Sequence, residues 1–260
     1  MIVDPVLRVK DLTLVRGGKT VVRSITLDAR AGEVLGLLGP SGAGKSTIFR
    51  AIAGDVAPTS GTMDLGGVAL GPLALWQRAR LGLGYIPQTP SVLWDFDVAS
   101  NLRAFEKVVG GRVDDEHVRA RARSVDLEAK WDVRASALSA GERRRLEFAR
   151  AVTRKPKLLL CDEPFAGVDP VGASRLGDLL RGLADAGTAV VLADHHVDEA
   201  LRICDRALLV LDGAVAVEGT PDAFRAHPVV RGRYLGPNLP ESAGRWPARA
   251  HGLPADEVKE

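Results

Sequence analysis

The feature that most restricts this chain is the run Gly39-Pro40-Ser41-Gly42-Ala43-Gly44-Lys45-Ser46, followed by Thr47. It fits the spacing G-x-x-x-x-G-K-[ST], and its setting gives the match its weight. Before it stands Glu33-Val34-Leu35-Gly36-Leu37-Leu38, a short apolar run suited to a parallel strand buried on both faces. After it, Ser46 to Ala53 reads as a helix closed by Gly54. A glycine-rich turn between a buried strand and a helix lets backbone N–H groups converge on phosphate oxygens, with the positive end of the helix aimed at the same point. Lys45 is then expected to reach the β- and γ-phosphates of a nucleotide, and the Ser46 hydroxyl to bind Mg²⁺.

The rest of the chain supplies an architecture for that loop. Leu7 to Val15 and Val21 to Leu27 read as strands turned at Gly17-Gly18, and Thr62 to Leu70 is again strand-like. Gly84-Tyr85-Ile86, Leu158-Leu159-Leu160-Cys161 and Ala189-Val190-Val191-Leu192-Ala193 read as further buried strands. A helix bearing Leu176, Leu179, Leu180 and Leu183 on one face separates the last two. That alternation predicts a parallel, doubly wound α/β sheet. From about Val98 to Lys155 the pattern is helical and charged, which predicts a helical insert over about 89–155. Arg206 to Leu211 and Ala214 to Glu218 form an expected hairpin turned at Asp212-Gly213. The domain is expected to span 1–236. Beyond it, Pro237, Pro240, Pro247 and Pro254 stand among Gly, Ala and charges without period, so 237–260 is expected to be a flexible tail.

Composition excludes several classes. With 260 residues and a formal net charge of only +2, the chain makes no electrostatic case for nucleic acid. Arg143, Arg144, Arg145, Arg150 and Arg154 come nearest to a basic cluster, and their helical spacing predicts a solvated helix face. The two cysteines, Cys161 and Cys204, are far apart and lie in apolar runs, so buried, reduced thiols are expected. No leader pattern opens the chain, and no apolar run is long enough to cross a bilayer. A cytoplasmic protein is expected, with any membrane role exercised through a partner.

Two more segments carry chemistry. Leu158 to Cys161 ends in Asp162-Glu163. A carboxylate at the tip of a buried strand can hold the metal, the role expected of Asp162, while Glu163 is placed to polarise the attacking water as general base. Leu138-Ser139-Ala140-Gly141-Glu142 precedes an amphipathic helix. Ser139 can cap that helix with Glu142 completing a capping box, and the same helix end can face a phosphate.

The order of phosphate loop, Gln88 after a strand, Leu-Ser-x-Gly-Glu, Asp-Glu and a strand-end histidine resembles the ABC ATPases. The resemblance covers about residues 6 to 236. It implies a nucleotide-binding domain with a RecA-like parallel-sheet core, an N-terminal antiparallel β subdomain and a helical insert. It further implies a homodimer in which Ser139 and Gly141 of one chain close over ATP and Mg²⁺ held by the other. Gln88 would sense metal and water, Asp169 would face the opposite subunit, and His195 would contact the γ-phosphate. His196 matches no family position and is read as a surface or capping residue. Ala140 stands where the family prefers glycine, and the adenine-stacking aromatic is absent near Val15 and Arg16, leaving the Arg16 guanidinium or Val15 for the base.

One such domain without a membrane span is similar to the motor subunit of a transporter. The groove for membrane permease partners maps onto Leu93, Trp94 and Phe96, which could equally form the small core of the insert. Gly141-Glu142-Arg143-Arg144-Arg145 and Phe165-Ala166-Gly167-Val168-Asp169 resemble the lipopolysaccharide-export branch. Arg233-Tyr234-Leu235-Gly236 is shared with branched-chain amino-acid importers, and a soluble ATP switch without membrane partners is the reading from another class.

Overall fold

The structure is a computed structural model and describes residues 4 to 236. The expected tail at 237–260 lies outside the described residues.

In chain order the main elements are β1 (Leu7–Arg16), β2 (Lys19–Ala29), β3 (Val34–Leu38), α1 (Lys45–Ala53), β4 (Ser60–Leu65), β5 (Val68–Ala69), α2 (Leu75–Arg80) and β6 (Leu83–Ile86). There follow α3 (Val98–Gly110), α4 (Asp115–Ser124), α5 (Ala140–Ala151), β7 (Leu158–Asp162), α6 (Pro170–Asp185), β8 (Ala189–Ala193), α7 (Val197–Ile203), β9 (Arg206–Leu211), β10 (Ala214–Gly219) and α8 (Pro221–Ala226). They build a four-stranded antiparallel sheet, β2-β1-β4-β5, and a six-stranded sheet, β10-β9-β3-β8-β7-β6. In the larger sheet every pairing is parallel except that of the edge hairpin β9–β10.

Strand alternation explains how one sheet serves two cores. Leu35, Leu37, Leu158, Leu160, Val191 and Leu208 face α1 and the antiparallel sheet, where they meet Phe49, Ile48 and Ile52. Val34, Leu38, Leu159, Cys161, Val190 and Leu209 face the other way, toward α6, α7 and the helices α3 to α5. A strand buried on both faces must be apolar at every position, which is why β3, β7 and β8 read as unbroken runs.

The register puts the working ends together. Asp162 pairs with Ala193, and Ile86 pairs with Cys161. The carboxyl ends of β3, β6, β7 and β8 therefore share one edge of the sheet, the edge at which open α/β sheets bind ligands. On α6, Leu176, Leu180 and Leu183 are buried as the pattern predicts, with Leu179 half-buried. Both cysteines are free and buried, and burial pushes the Cys161 thiol up to about 12.

One expectation fails. The arginines of α5 do not form a solvated face: Arg144 and Arg150 are buried, at 8% and 4% exposure. Arg150 stacks over Phe105 at 3.8 Å and donates to the Ser91 carbonyl at 2.8 Å. A guanidinium has five donors; four backbone carbonyls converge on Arg144, whereas Arg150 relies on one carbonyl, Asn101 and the Phe105 ring, its Nε having no hydrogen-bond partner.

Candidate functional site

The phosphate loop turns sharply out of β3. Gly39 has φ 150°, and a Cβ there would lie 2.2 Å from the Val210 carbonyl oxygen, so only glycine fits. Gly44, with φ 103°, precedes α1 and would bring a Cβ to 2.9 Å from the Val21 carbonyl oxygen. Lys45 opens the helix and is buried, its Nζ donating to the carbonyls of Gly39 at 2.6 Å and Pro40 at 2.9 Å. Burial holds the ammonium below the usual lysine range, opposed by the charges of Glu163, Asp162 and Asp194. The lysine thus lies folded along the loop it is expected to serve.

Ser46 Oγ donates to Asp162 Oδ1 at 3.1 Å, joining the loop to the end of β7 across 116 positions of sequence. Burial raises the Asp162 carboxyl above the ordinary carboxylate range, and the Ser46 hydrogen bond works against that shift. A hydroxyl and a buried carboxylate in contact make a hard oxygen pair, which suits Mg²⁺.

Glu163 follows with φ 49°, a left-handed conformation unusual outside glycine. Its N–H donates to the Ala193 carbonyl at 2.6 Å, and its Oε2 lies 3.5 Å from His195 Nδ1. The backbone strain, of order 1–3 kcal/mol, is held in place by this cross-strand bond. Asp194 is fully buried: Oδ2 accepts from the Phe165 N–H at 3.0 Å, and Oδ1 accepts from the His196 N–H at 2.8 Å. His196 Nδ1 also lies 2.8 Å from Oδ1, so its role is to fix the turn before α7. His195, half exposed, remains directed at Glu163. Gln88 is exposed, two residues beyond the end of β6.

Ser139 caps α5. Its Oγ accepts from the Glu142 N–H at 3.2 Å and its N–H donates to Glu142 Oε2 at 2.8 Å, the reciprocal box. That backbone bond leads the effects holding the Glu142 carboxyl below its usual range. Asp169 caps α6 through the N–H groups of Val171 and Gly172, at 3.1 and 3.0 Å. Ser139, Gly141 and Asp169 line one cavity of about 420 Å³, together with Arg145 and Arg175. No residue of Gly39 to Ser46 lines it. Ala140 is exposed, so its methyl crowds nothing within one chain. The structure therefore unites Lys45, Ser46, Asp162, Glu163 and His195, and sets Ser139, Gly141 and Asp169 at a second location.

Val15 and Arg16 are both exposed at the end of β1. Trp94 and Phe96 are exposed at 44% and 53%, while Leu93 is half-buried, so the two aromatics are not the core of the helical region. Arg143 lies over the Trp94 ring at 5.4 Å.

The residue that sequence reasoning missed is Arg144. Its Nη2 donates to the carbonyls of Asp162 and Glu163, each at 2.8 Å, and its Nη1 to that of Pro87 at 2.8 Å. All its backbone acceptors come from other segments, so nothing in the local pattern of α5 announces it.

The sequence profile described as ABC transporter matches residues 22–166. A probable ABC transporter ATP-binding protein of Azorhizobium caulinodans is 42% identical over 85% of this chain and 79% of its own length. The lipopolysaccharide export system ATP-binding protein LptB of Acidithiobacillus ferridurans is 41% identical over 84% of this chain and 91% of its own. LptB of Escherichia coli is 36% identical over 88% and 97%. Among solved structures, an ATP-binding subunit of an ABC transporter superposes with TM-score 0.77 at 28% identity, covering 87% of this chain and 95% of its own. A nucleotide-free ATP-binding cassette shares the fold at TM-score 0.81 and 22% identity, covering 90% of this chain and all of its own. The chain belongs to the ATP-binding, ATP-hydrolysing subunits of the ABC transporter family.

Proposed function

We propose that two copies of this chain close around two ATP molecules and that the closure drives lipopolysaccharide export through separate membrane subunits. The observation that carries the dimer is the separation of the two half-sites. Lys45, Ser46, Asp162, Glu163 and His195 gather at the sheet edge, while Ser139 and Gly141 open into another cavity. A second copy brings the missing half. In this reading Lys45 leaves the carbonyls of Gly39 and Pro40 for phosphate oxygens, and Gly39 to Thr47 wraps the phosphates. Ser46, Asp162 and Gln88 would hold Mg²⁺, whose chemistry is neutralisation of developing phosphate charge. Glu163 takes the proton of the attacking water, and His195 orients the γ-phosphate from beside it. Arg16 or Val15 contacts the base, and Asp169 faces the partner.

The export substrate rests on the likeness to the LptB proteins over most of their length. The permease contact rests on the exposure of Trp94 and Phe96. Among the described residues no helix is long and apolar enough to cross a membrane, so membrane attachment is assigned to the permease partners at its cytoplasmic face. The test is Glu163→Gln with ATP and Mg²⁺. The expected result is a dimer that persists on size exclusion, with turnover reduced by about 100-fold or more. Wild-type turnover would remove Glu163 from its role, and a chain that stays monomeric with ATP would remove the closed dimer.

A further inference from the structure

We infer that Arg144 is a positioning residue for hydrolysis, locking α5, the Gln88 segment and the Asp162–Glu163 strand end into one unit. Its guanidinium makes five hydrogen bonds. Besides the carbonyls of Pro87, Asp162 and Glu163 it reaches the Pro164 carbonyl at 3.3 Å and Glu147 Oε2 at 3.0 Å. Glu147, equally buried, extends the unit: its Oε1 accepts from the N–H and the hydroxyl of Ser91, the latter at 3.1 Å. One arginine and one glutamate on a single helix turn thus hold both ends of the segment from Pro87 to Ser91, which includes Gln88.

The acceptors decide what this does. In the proposed site the side chains of Asp162 and Glu163 serve the nucleotide, while Arg144 grips their carbonyls. A planar guanidinium fixes direction as well as distance, and in a buried setting its bonds to carbonyls are charge-assisted. The same grip suits the left-handed backbone at Glu163, which needs outside bonds to persist. Arg144 lies four residues along the helix from Ala140, the first residue of α5, at the end that also carries Ser139 and Gly141. Seating those residues on a partner's ATP moves α5, and through Arg144 that motion reaches the chain's own Glu163 and Gln88. The bonds of Arg144 go to backbone carbonyls and to Glu147, so it acts through Glu163 and Gln88, the residues proposed to meet water and metal.

The inference rests on the roles proposed for Glu163 and Gln88, which Glu163→Gln tests separately. Arg144→Met and Arg144→Lys are compared with wild type for thermal midpoint, for affinity toward a fluorescent ATP analogue and for kcat. Arg78→Met is the structural control. Arg78 is also buried and donates to the carbonyls of Ala51, Ile52 and Leu73, away from β7 and the Gln88 segment. Arg144→Met is expected to lower kcat about 100-fold while nucleotide affinity stays within about threefold, the signature of misplaced reacting groups. Arg144→Lys keeps the charge and part of the bonding and recovers about tenfold of that loss. Arg78→Met lowers the midpoint and keeps kcat within about twofold below it. The inference is overturned if Arg144→Met keeps kcat within about threefold, or if kcat and affinity fall together by one factor. Should Arg144→Met fail to fold, Arg144→Lys decides alone: wild-type kcat in that variant overturns the inference, and a selective fall in kcat supports it.

Discussion

Ser139 holds two duties that one pair of substitutions can separate. Its hydroxyl caps α5 through the Glu142 N–H, and it lines the cavity assigned to a partner's ATP. Ser139→Ala removes both duties. Loss of an N-cap costs about 1 kcal/mol, which for a chain of this size lowers the thermal midpoint by about 2–4 °C. Loss of a hydrogen bond to a charged phosphate costs about 1.5–3 kcal/mol, or roughly 10- to 150-fold in turnover. Ser139→Asp keeps the cap, since aspartate caps as well as serine and favours the helix dipole, but it sets a negative charge against the phosphate. The midpoint of Ser139→Asp without nucleotide is therefore expected within about 1 °C of wild type, while its turnover falls at least as far as that of Ser139→Ala. Differential scanning without nucleotide and a steady-state phosphate-release assay read the two quantities independently. A Ser139→Asp chain that hydrolyses ATP at the wild-type rate would show that the hydroxyl only caps a helix, and the split half-sites would lose their meaning.

Gly39→Ala places a methyl against the Val210 carbonyl at a positive φ, and is expected to cost about 2–3 kcal/mol by denaturant unfolding, before any effect on ATP. Because burial raises the Asp162 carboxyl, its protonated form favours the folded apo chain. That contribution is complete below the ordinary carboxylate range and is lost as pH rises through the raised value, so Asp162→Asn should make the apo midpoint higher than wild type above that value and flatten the pH profile between the ordinary range and the raised value. Phe96→Asp is expected to leave the ATPase of the isolated chain unchanged and to abolish co-purification with a permease, since Phe96 is exposed and is not among the residues assigned to nucleotide.

Legibility followed the distance over which each feature is encoded. The phosphate loop lies in eight consecutive residues with its strand and helix adjoining, and the structure places it between β3 and α1. The capping box needs only Ser139 and Glu142, three apart, and both its bonds are present. β3, β7 and β8 were legible because burial on two faces leaves a pure apolar run. The six-residue helix α2 carries no such signal, since it is too short for an apolar stripe to form; its one buried residue is Arg78, an arginine that serves the carbonyl end of α1. Arg144 stayed hidden for the same physical reason. Its partners are backbone carbonyls, which every residue owns, so no side-chain pattern at Pro87 or Glu163 betrays it. Flanked by Arg143 and Arg145, it was indistinguishable from surface charge until the fold was known.

The lysine lying along its own loop has a thermodynamic consequence. Lys45 satisfies the Gly39 and Pro40 carbonyls, so it acts as an internal ligand of its own turn. On the proposed role of Lys45, ATP would bind by exchange: two carbonyl bonds would be surrendered as phosphate bonds form, and the free energy gained would be the difference between the two sets. The more of the loop's order these two bonds supply, the less of its ordering cost would fall on the binding step. On the same proposed role, release of product would be eased, because the departing phosphate would leave behind a cation with carbonyls to return to.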